Sequence, residues 1–177
     1  MSRIRITGGE WRSRLIQVPD GPGLRPTPDR VRETLFNWLG QDLSGLACLD
    51  LFAGSGVLGF EAASRGADYV ALVERSRPAF TVLQKHAEGF ACPRLELFCC
   101  DALKFAPPPA RRFDLIFLDP PYGQGWLARV ESRLDDLAAA DAKLYVEAEM
   151  SLERLGRWSV AKQGRAGQVF FHLLEQA

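Results

Sequence analysis

The chain has 177 residues, of which 47% are hydrophobic and 25% charged, a size and make-up that suit one folded domain and argue against a disordered chain. Its formal net charge is zero, yet residues 1–32 carry seven arginines against Glu10, Asp20 and Asp29, so a basic leading segment is joined to an acidic remainder. The absence of an apolar run near the ~20 residues of a membrane span, of an apolar signal core and of any CxxC among Cys48, Cys92, Cys99 and Cys100 leads us to expect a metal-free protein of the reducing cytoplasm.

Arg3–Ile6 and residues 14–18 read as two short strands around Gly8-Gly9, a hairpin. Residues 19–28, rich in Pro and Gly, read as a loop. Thr27-Pro28 then opens a helix, with Thr27 as its expected N-cap and Pro28 in its first turn. Val31, Leu35, Trp38 and Leu39 give that helix one apolar face. After Gly45 strands and helices alternate. Strands are expected at Leu46–Leu51, Tyr69–Val73, Leu95–Cys100, Phe113–Leu118 and Lys143–Ala148, and helices at Val57–Arg65, Pro78–Glu88 and Trp126–Leu137. Trp158–Lys162 and Gln168–Leu174 read as a closing hairpin turned at Gly164–Gly167. Repeated strand–helix units imply an α/β fold of the Rossmann-like kind: a mostly parallel sheet with helices on both faces. We expect one domain, 1–177, made of an N-terminal hairpin and helix extension (1–40) and a core (41–177).

Ligands of such a sheet sit beyond the carboxyl ends of its strands. Four predicted strands end there on acids: Asp50, Glu74, Asp101 and Asp119. Asp50 is followed by Phe52-Ala53-Gly54-Ser55-Gly56-Val57-Leu58-Gly59, whose glycines permit a tight turn and a close backbone approach. Taken alone, this loop also fits a dinucleotide site. Asp50 would repel a pyrophosphate but pair with an ammonium, Glu74 can accept from both hydroxyls of a ribose, and Asp101 can accept from an adenine amine. That set matches S-adenosylmethionine. Asp119-Pro120-Pro121-Tyr122 follows the fourth of these strands. Two prolines hold the backbone rigid and extended, so that carbonyls and the Asp119 carboxylate become fixed acceptors for an exocyclic base amine. Tyr122 would stack on a base taken out of its helix. The adjacent N1–H and N2–H donors of guanine suit a carboxylate and favour guanine N2 over adenine N6, although Asp also heads this motif in some adenine methylases.

These residues resemble class I methyltransferases, specifically the bacterial small-subunit (16S) ribosomal RNA guanine-N2 methyltransferase family. The resemblance covers nearly the whole chain. It rests on Arg5-Ile6-Thr7-Gly8-Gly9-Glu10-Trp11-Arg12, on the segment from Leu24 to Trp38, on Asp50–Gly56 and on Asp119–Tyr122. It implies a seven-stranded sheet of order 3-2-1-4-5-7-6 and a cofactor set of Thr27, Asp50, Phe52, Gly54, Gly56, Glu74, Asp101 and Ala102. It also implies base handling by Asp119, Pro120, Pro121 and Tyr122. Thr27 would touch the methionine end of S-adenosylmethionine; relatives commonly carry Thr-Thr where this chain has Thr27-Pro28, and Pro28 can donate no hydrogen bond there. Arg12, Arg14, Arg25, Arg30 and Arg32 are the candidates for phosphate contact with ribosomal RNA, within a small-subunit particle. A monomer is expected. The alternatives are a DNA or RNA adenine-N6 methyltransferase, a nicotinamide-dependent oxidoreductase argued from the glycine loop alone, and a non-enzymatic RNA-binding module.

Overall fold

The computed structural model describes residues 2–18 and 26–177. β1 (Ser2–Arg5) and β2 (Leu15–Val18) pair antiparallel with Ile4 opposite Ile16, as the hairpin reading expects. Most of the loop expected over residues 19–28 lies outside the described residues. α1 (Asp29–Leu39) buries Val31, Leu35 and Phe36 on one face. Its N-cap is Pro28, one residue later than expected. Pro28 holds an extended ψ of 152°, and its carbonyl accepts the first helical N–H groups, from Val31 (3.0 Å) and Arg32 (3.1 Å). Thr27 does not cap, because its hydroxyl donates instead to the distant Glu147.

The main sheet follows. β3 (Ala47–Asp50) is flanked by β4 (Tyr69–Val73) and β6 (Phe113–Leu118), both parallel to it. Four consecutive buried residues in β3 are the signature of a strand covered on both faces. β5 (Leu95–Phe98) extends one side, and β7 (Ala138–Ala148), β10 (Val169–Gln176), β9 (Trp158–Ala166) and β8 (Arg154–Leu155) extend the other. The order is β5-β4-β3-β6-β7-β10-β9-β8. Its first seven members follow the order 3-2-1-4-5-7-6, and the two-residue β8 adds an eighth strand at the edge.

β7 starts directly after α4 (Trp126–Leu137), five residues earlier than its apolar stretch suggested. The closing hairpin turns at Gly167-Gln168 rather than over Gly164–Gly167. Gly164 lies within β9 because the Phe171 ring lies across it: a Cβ there would sit 2.5 Å from that ring.

Two cores sandwich the sheet. On one face Ile4, Ile6, Trp11 and Ile16 of the N-terminal extension pack with Leu35 and Phe36 of α1, Phe60 of α2 (Val57–Ser64) and Leu83 of α3 (Arg77–Phe90). On the other, Val130, Leu134 and Leu137 of α4 pack with Phe105, Phe113, Ile116 and Trp158. No described helix is long and apolar enough to cross a membrane.

Candidate active site

The carboxyl ends of β3, β4, β6 and β7 lie side by side in the sheet, and each delivers an acid: Asp50, Glu74, Asp119 and Glu147. Asp101 follows β5 after a short bend. Asp50, Glu74 and Asp119 thus stand at the ends of adjacent strands, and Asp101 lies three residues beyond the end of β5. Glu147 was missed. Nothing in Lys143–Ala148 separates an inward acid from a surface one until the partners of the strand are known.

The glycine loop is built by its acids. The backbone N–H of Gly54 donates to Glu74 Oε1 at 2.9 Å, and that of Gly59 donates to Asp50 Oδ2 at 3.0 Å. Gly56 N–H donates to the Ala53 carbonyl at 2.7 Å and closes the turn. Gly56 has φ +86°, and a Cβ there would lie 2.4 Å from Leu83 Cδ1; at Gly59 it would lie 2.6 Å from Leu72 Cδ2. Gly56 thus makes the tight turn that the loop reading expected, against Leu83 of α3, and Gly59 lets the start of α2 lie close to β4. Glu74 Oε2 accepts from Ser76 N–H at 2.6 Å, and Asp101 Oδ1 accepts from Leu103 N–H at 2.8 Å. Phe52 is half-buried with its ring edge-on to Trp126 at 5.4 Å, and Ala102 is buried in the α4-side core.

The floor of the crevice is a group of acids, Asp50 and Glu147 buried and Asp119 half-buried. Asp50 is pushed up to about 7 by loss of solvent and by the charges of Glu74 and Glu147, against the lowering effect of the Gly59 N–H. Burial raises Asp119 well above the usual carboxylate range, reinforced by Glu147 and Asp50 and opposed by a Thr27 hydrogen bond. Glu147 is raised by burial too, and lowered by Thr27, Tyr145 and Arg32. Crowded acids of raised proton affinity favour a cationic ligand with hydroxyl and amino donors and disfavour a pyrophosphate. The residues present fit S-adenosylmethionine. In the Asp119–Tyr122 turn Pro120 is buried, while the Tyr122 side chain is open to solvent at 42% exposure. Its hydroxyl is pushed up to about 12 by partial burial and by Asp119, Glu147 and Glu149, so it stays neutral.

The arginine readings divide. Arg12 and Arg30 are exposed. Arg14 is exposed but engaged, donating to the Gly89 carbonyl at 2.9 Å with its guanidinium over the Phe90 ring at 4.3 Å. Arg25 lies outside the described residues. Arg32 is corrected: its side chain is 0% exposed and cannot meet a phosphate. It donates to the carbonyls of Thr27 (3.0 Å) and Arg5 (2.7 Å), to Glu61 Oε2 (2.6 Å) and to Asp29. A buried guanidinium needs such a full set of acceptors. Its helical position relative to Val31 and Leu35 was the available signal, since it belongs to the same apolar face. A cleft of about 330 Å³ separates the hairpin from the start of α1, lined by Arg3, Arg5, Leu15, Pro26 and Thr27 among others. A larger one, about 450 Å³, is lined by Ala47, Asp68, Arg111 and Asp114, at the opposite ends of the strands from the acids. Among the described residues no group of three or more His, Cys, Asp or Glu could hold a metal ion.

The sequence model of the family described as "Conserved hypothetical protein 95" matches residues 4–175. The chain is 40% identical over 179 residues to the Escherichia coli K12 protein named ribosomal RNA small subunit methyltransferase D, covering 98% of this chain and 90% of that one. It is 37% identical to the Haemophilus influenzae protein of the same name, covering 97% and 93%. A solved Escherichia coli structure described as a candidate methyltransferase superposes with a TM-score of 0.87 at 39% identity, over 99% of this chain and 98% of that one.

Proposed function

The chain belongs to the "Conserved hypothetical protein 95" family, and on that premise we propose that it is an S-adenosylmethionine-dependent methyltransferase acting on the exocyclic N2 of a guanine in small-subunit ribosomal RNA. The similarity to proteins named ribosomal RNA small subunit methyltransferase D supports the RNA class. The observation that carries the chemistry is the crevice of acids ending β3, β4, β6 and β7, with the rigid Asp119-Pro120-Pro121-Tyr122 turn at its mouth.

An exocyclic amine is a poor nucleophile because its lone pair is conjugated with the ring. Acceptors that hold its hydrogens turn that lone pair toward the methyl group. The Asp119 carboxylate and the backbone carbonyls of the proline turn are such acceptors, held in place before the substrate arrives. S-adenosylmethionine supplies a methyl group on a sulfonium. Asp50, Glu74 and Asp101 would hold its ammonium, ribose and adenine amine, with Gly54 and Gly56 close to it and Phe52, Ala102 and Thr27 around it. The solvent-open ring of Tyr122 would stack on the extruded base, and Arg12, Arg14 and Arg30 would meet RNA phosphates.

The test is transfer of labelled methyl from S-adenosylmethionine to bacterial ribosomal RNA and to small-subunit particles, followed by nucleoside analysis. Labelled N2-methylguanosine that disappears with Asp119→Ala is the expected result. Label in N6-methyladenosine would overturn the guanine reading, and no label in any RNA would overturn the acceptor class.

A further inference from the structure

Glu147 is a buried acid that the chemistry above leaves without a role, and three observations bear on it. First, β6 and β7 are parallel neighbours with Leu118 opposite Val146, so Asp119 and Glu147 are the next pair along and share one face of the sheet. Second, Glu147 and Thr27 are each 3% exposed, and the Thr27 hydroxyl donates to Glu147 Oε2 at 2.5 Å. Third, Thr27 is itself fixed, because its carbonyl accepts from Arg32 Nε at 3.0 Å and Arg32 is locked to Glu61. A residue 120 positions away in sequence is held against the floor of the crevice for a reason that helix capping does not supply.

We propose that Glu147 is a positioning residue which, together with the Thr27 hydroxyl it holds, sets the protonation of the Asp119 carboxyl group. The proposal rests on the reading of Asp119 as the acceptor for the substrate amine. A hydroxyl has one hydrogen. Lying between the two carboxylates, it lowers the proton affinity of both. Two neighbouring carboxylates, one buried and one half-buried, do not both ionise readily, so the pair titrates as a unit. The groups facing it are Asp50 from β3, Tyr145 from β7, Thr27 and, through Glu147, Arg32 from the α1 side, and Tyr122 from the proline turn. Thr27 and the charge of Glu147 act on Asp119 with opposite signs, the first lowering and the second raising its affinity for a proton. The nitrogen's lone pair forms the N–C bond as the C–S bond breaks, and the nitrogen is left with a surplus proton. An ionised Asp119 of raised proton affinity is a suitable acceptor for it.

The experiment is a carbon-13 NMR titration of side-chain carboxyl groups in the intact protein, with Asp119→Asn to assign the Asp119 signal. Glu147→Gln keeps the size and an oxygen for Thr27 but removes the charge; the Asp119 midpoint is expected to fall by about one pH unit or more. Thr27→Val removes the hydroxyl, and the same midpoint is expected to rise, with Thr27→Ser restoring it. A general loosening of the fold would not move the midpoint in opposite directions in two variants. An Asp119 midpoint unchanged by Glu147→Gln, or lowered by Thr27→Val, would overturn the proposal. The titration needs no RNA, so the expected midpoints in a protein that methylates no RNA would uphold the coupling while refuting the acceptor reading.

Discussion

Glu61→Gln is expected to destabilise the fold strongly. Glu61 lies on α2, fully buried, and is the meeting point of two guanidiniums: Arg32 Nη1 at 2.6 Å and Arg65 Nη1 at 2.5 Å. It also accepts from the Thr7 N–H at 3.0 Å and the Thr7 hydroxyl at 2.8 Å. Arg65 further donates to Thr7 Oγ1 at 3.1 Å and Gln41 Oε1 at 3.1 Å, with its guanidinium 3.9 Å above the Phe36 ring. The introduced amide would keep the shape of the carboxylate but turn an NH2 group toward one of the guanidiniums and leave both without their buried counter-charge. Removing one member of a buried ion pair costs about 3–5 kcal/mol, a large share of a stability of about 5–15 kcal/mol. At about 2–4 °C per kcal/mol for a chain of this size, Tm should fall by roughly 6–20 °C. Calorimetry and urea midpoints measure the loss, and hydrogen exchange at the Thr7 amide locates it in the hairpin attachment. A loss below about 1 kcal/mol, or an unchanged Thr7 exchange rate, would refute the view that this network fastens the N-terminal extension to the helix behind the glycine loop.

Other outcomes follow from the site. Asp50 has a folded pKa of about 7 against 3.8 for the free side chain, so its contribution to stability is full below 3.8 and is lost as pH rises through 7. Asp50→Asn, which retains an oxygen for Gly59, should therefore gain on the wild-type protein between pH 4 and 7, by up to about 4 kcal/mol at 1.36 kcal/mol per pH unit. Urea unfolding across that range checks it, and a difference that stays flat with pH would exclude the raised value. Tyr122→Phe should retain most methyl transfer, whereas Tyr122→Ala should lose about 1–3 kcal/mol of base stacking, read as a higher KM for RNA; equal effects would argue against stacking. Replacing Arg12 and Arg30 together by Gln should weaken RNA binding and reduce its salt slope by about two, and an unchanged slope in a filter-binding series would remove both from the interface.

Much of this was legible without coordinates because strand ends and glycine loops are local signals. An apolar strand that stops on an acid, followed by Gly54-Ser55-Gly56, defines both the direction of the strand and the place where its ligand would sit, and α4 runs over Trp126–Leu137 as its apolar stripe requires. Fold class and the placing of Asp50, Glu74, Asp101 and Asp119 as strand-end acids needed little more. The turn of the last hairpin was displaced because Gly164 reads as a turn glycine in sequence, whereas its reason is a ring from the facing strand.

Only the tertiary structure decided what each charge is for. Arg32 and Arg30 are both arginines at the start of one helix; burial turned the first into a fastening for Glu61, Thr27 and Arg5 and left the second in solvent. Glu147 carried no signal in Lys143–Ala148, and became part of the site because β7 pairs with β6 in a register that sets it beside Asp119 and brings Thr27 across 120 residues to meet it. Sequence periodicity reports which face of an element is apolar. A charge on that face acquires its meaning from its partners, and partners distant in the chain are supplied by packing alone.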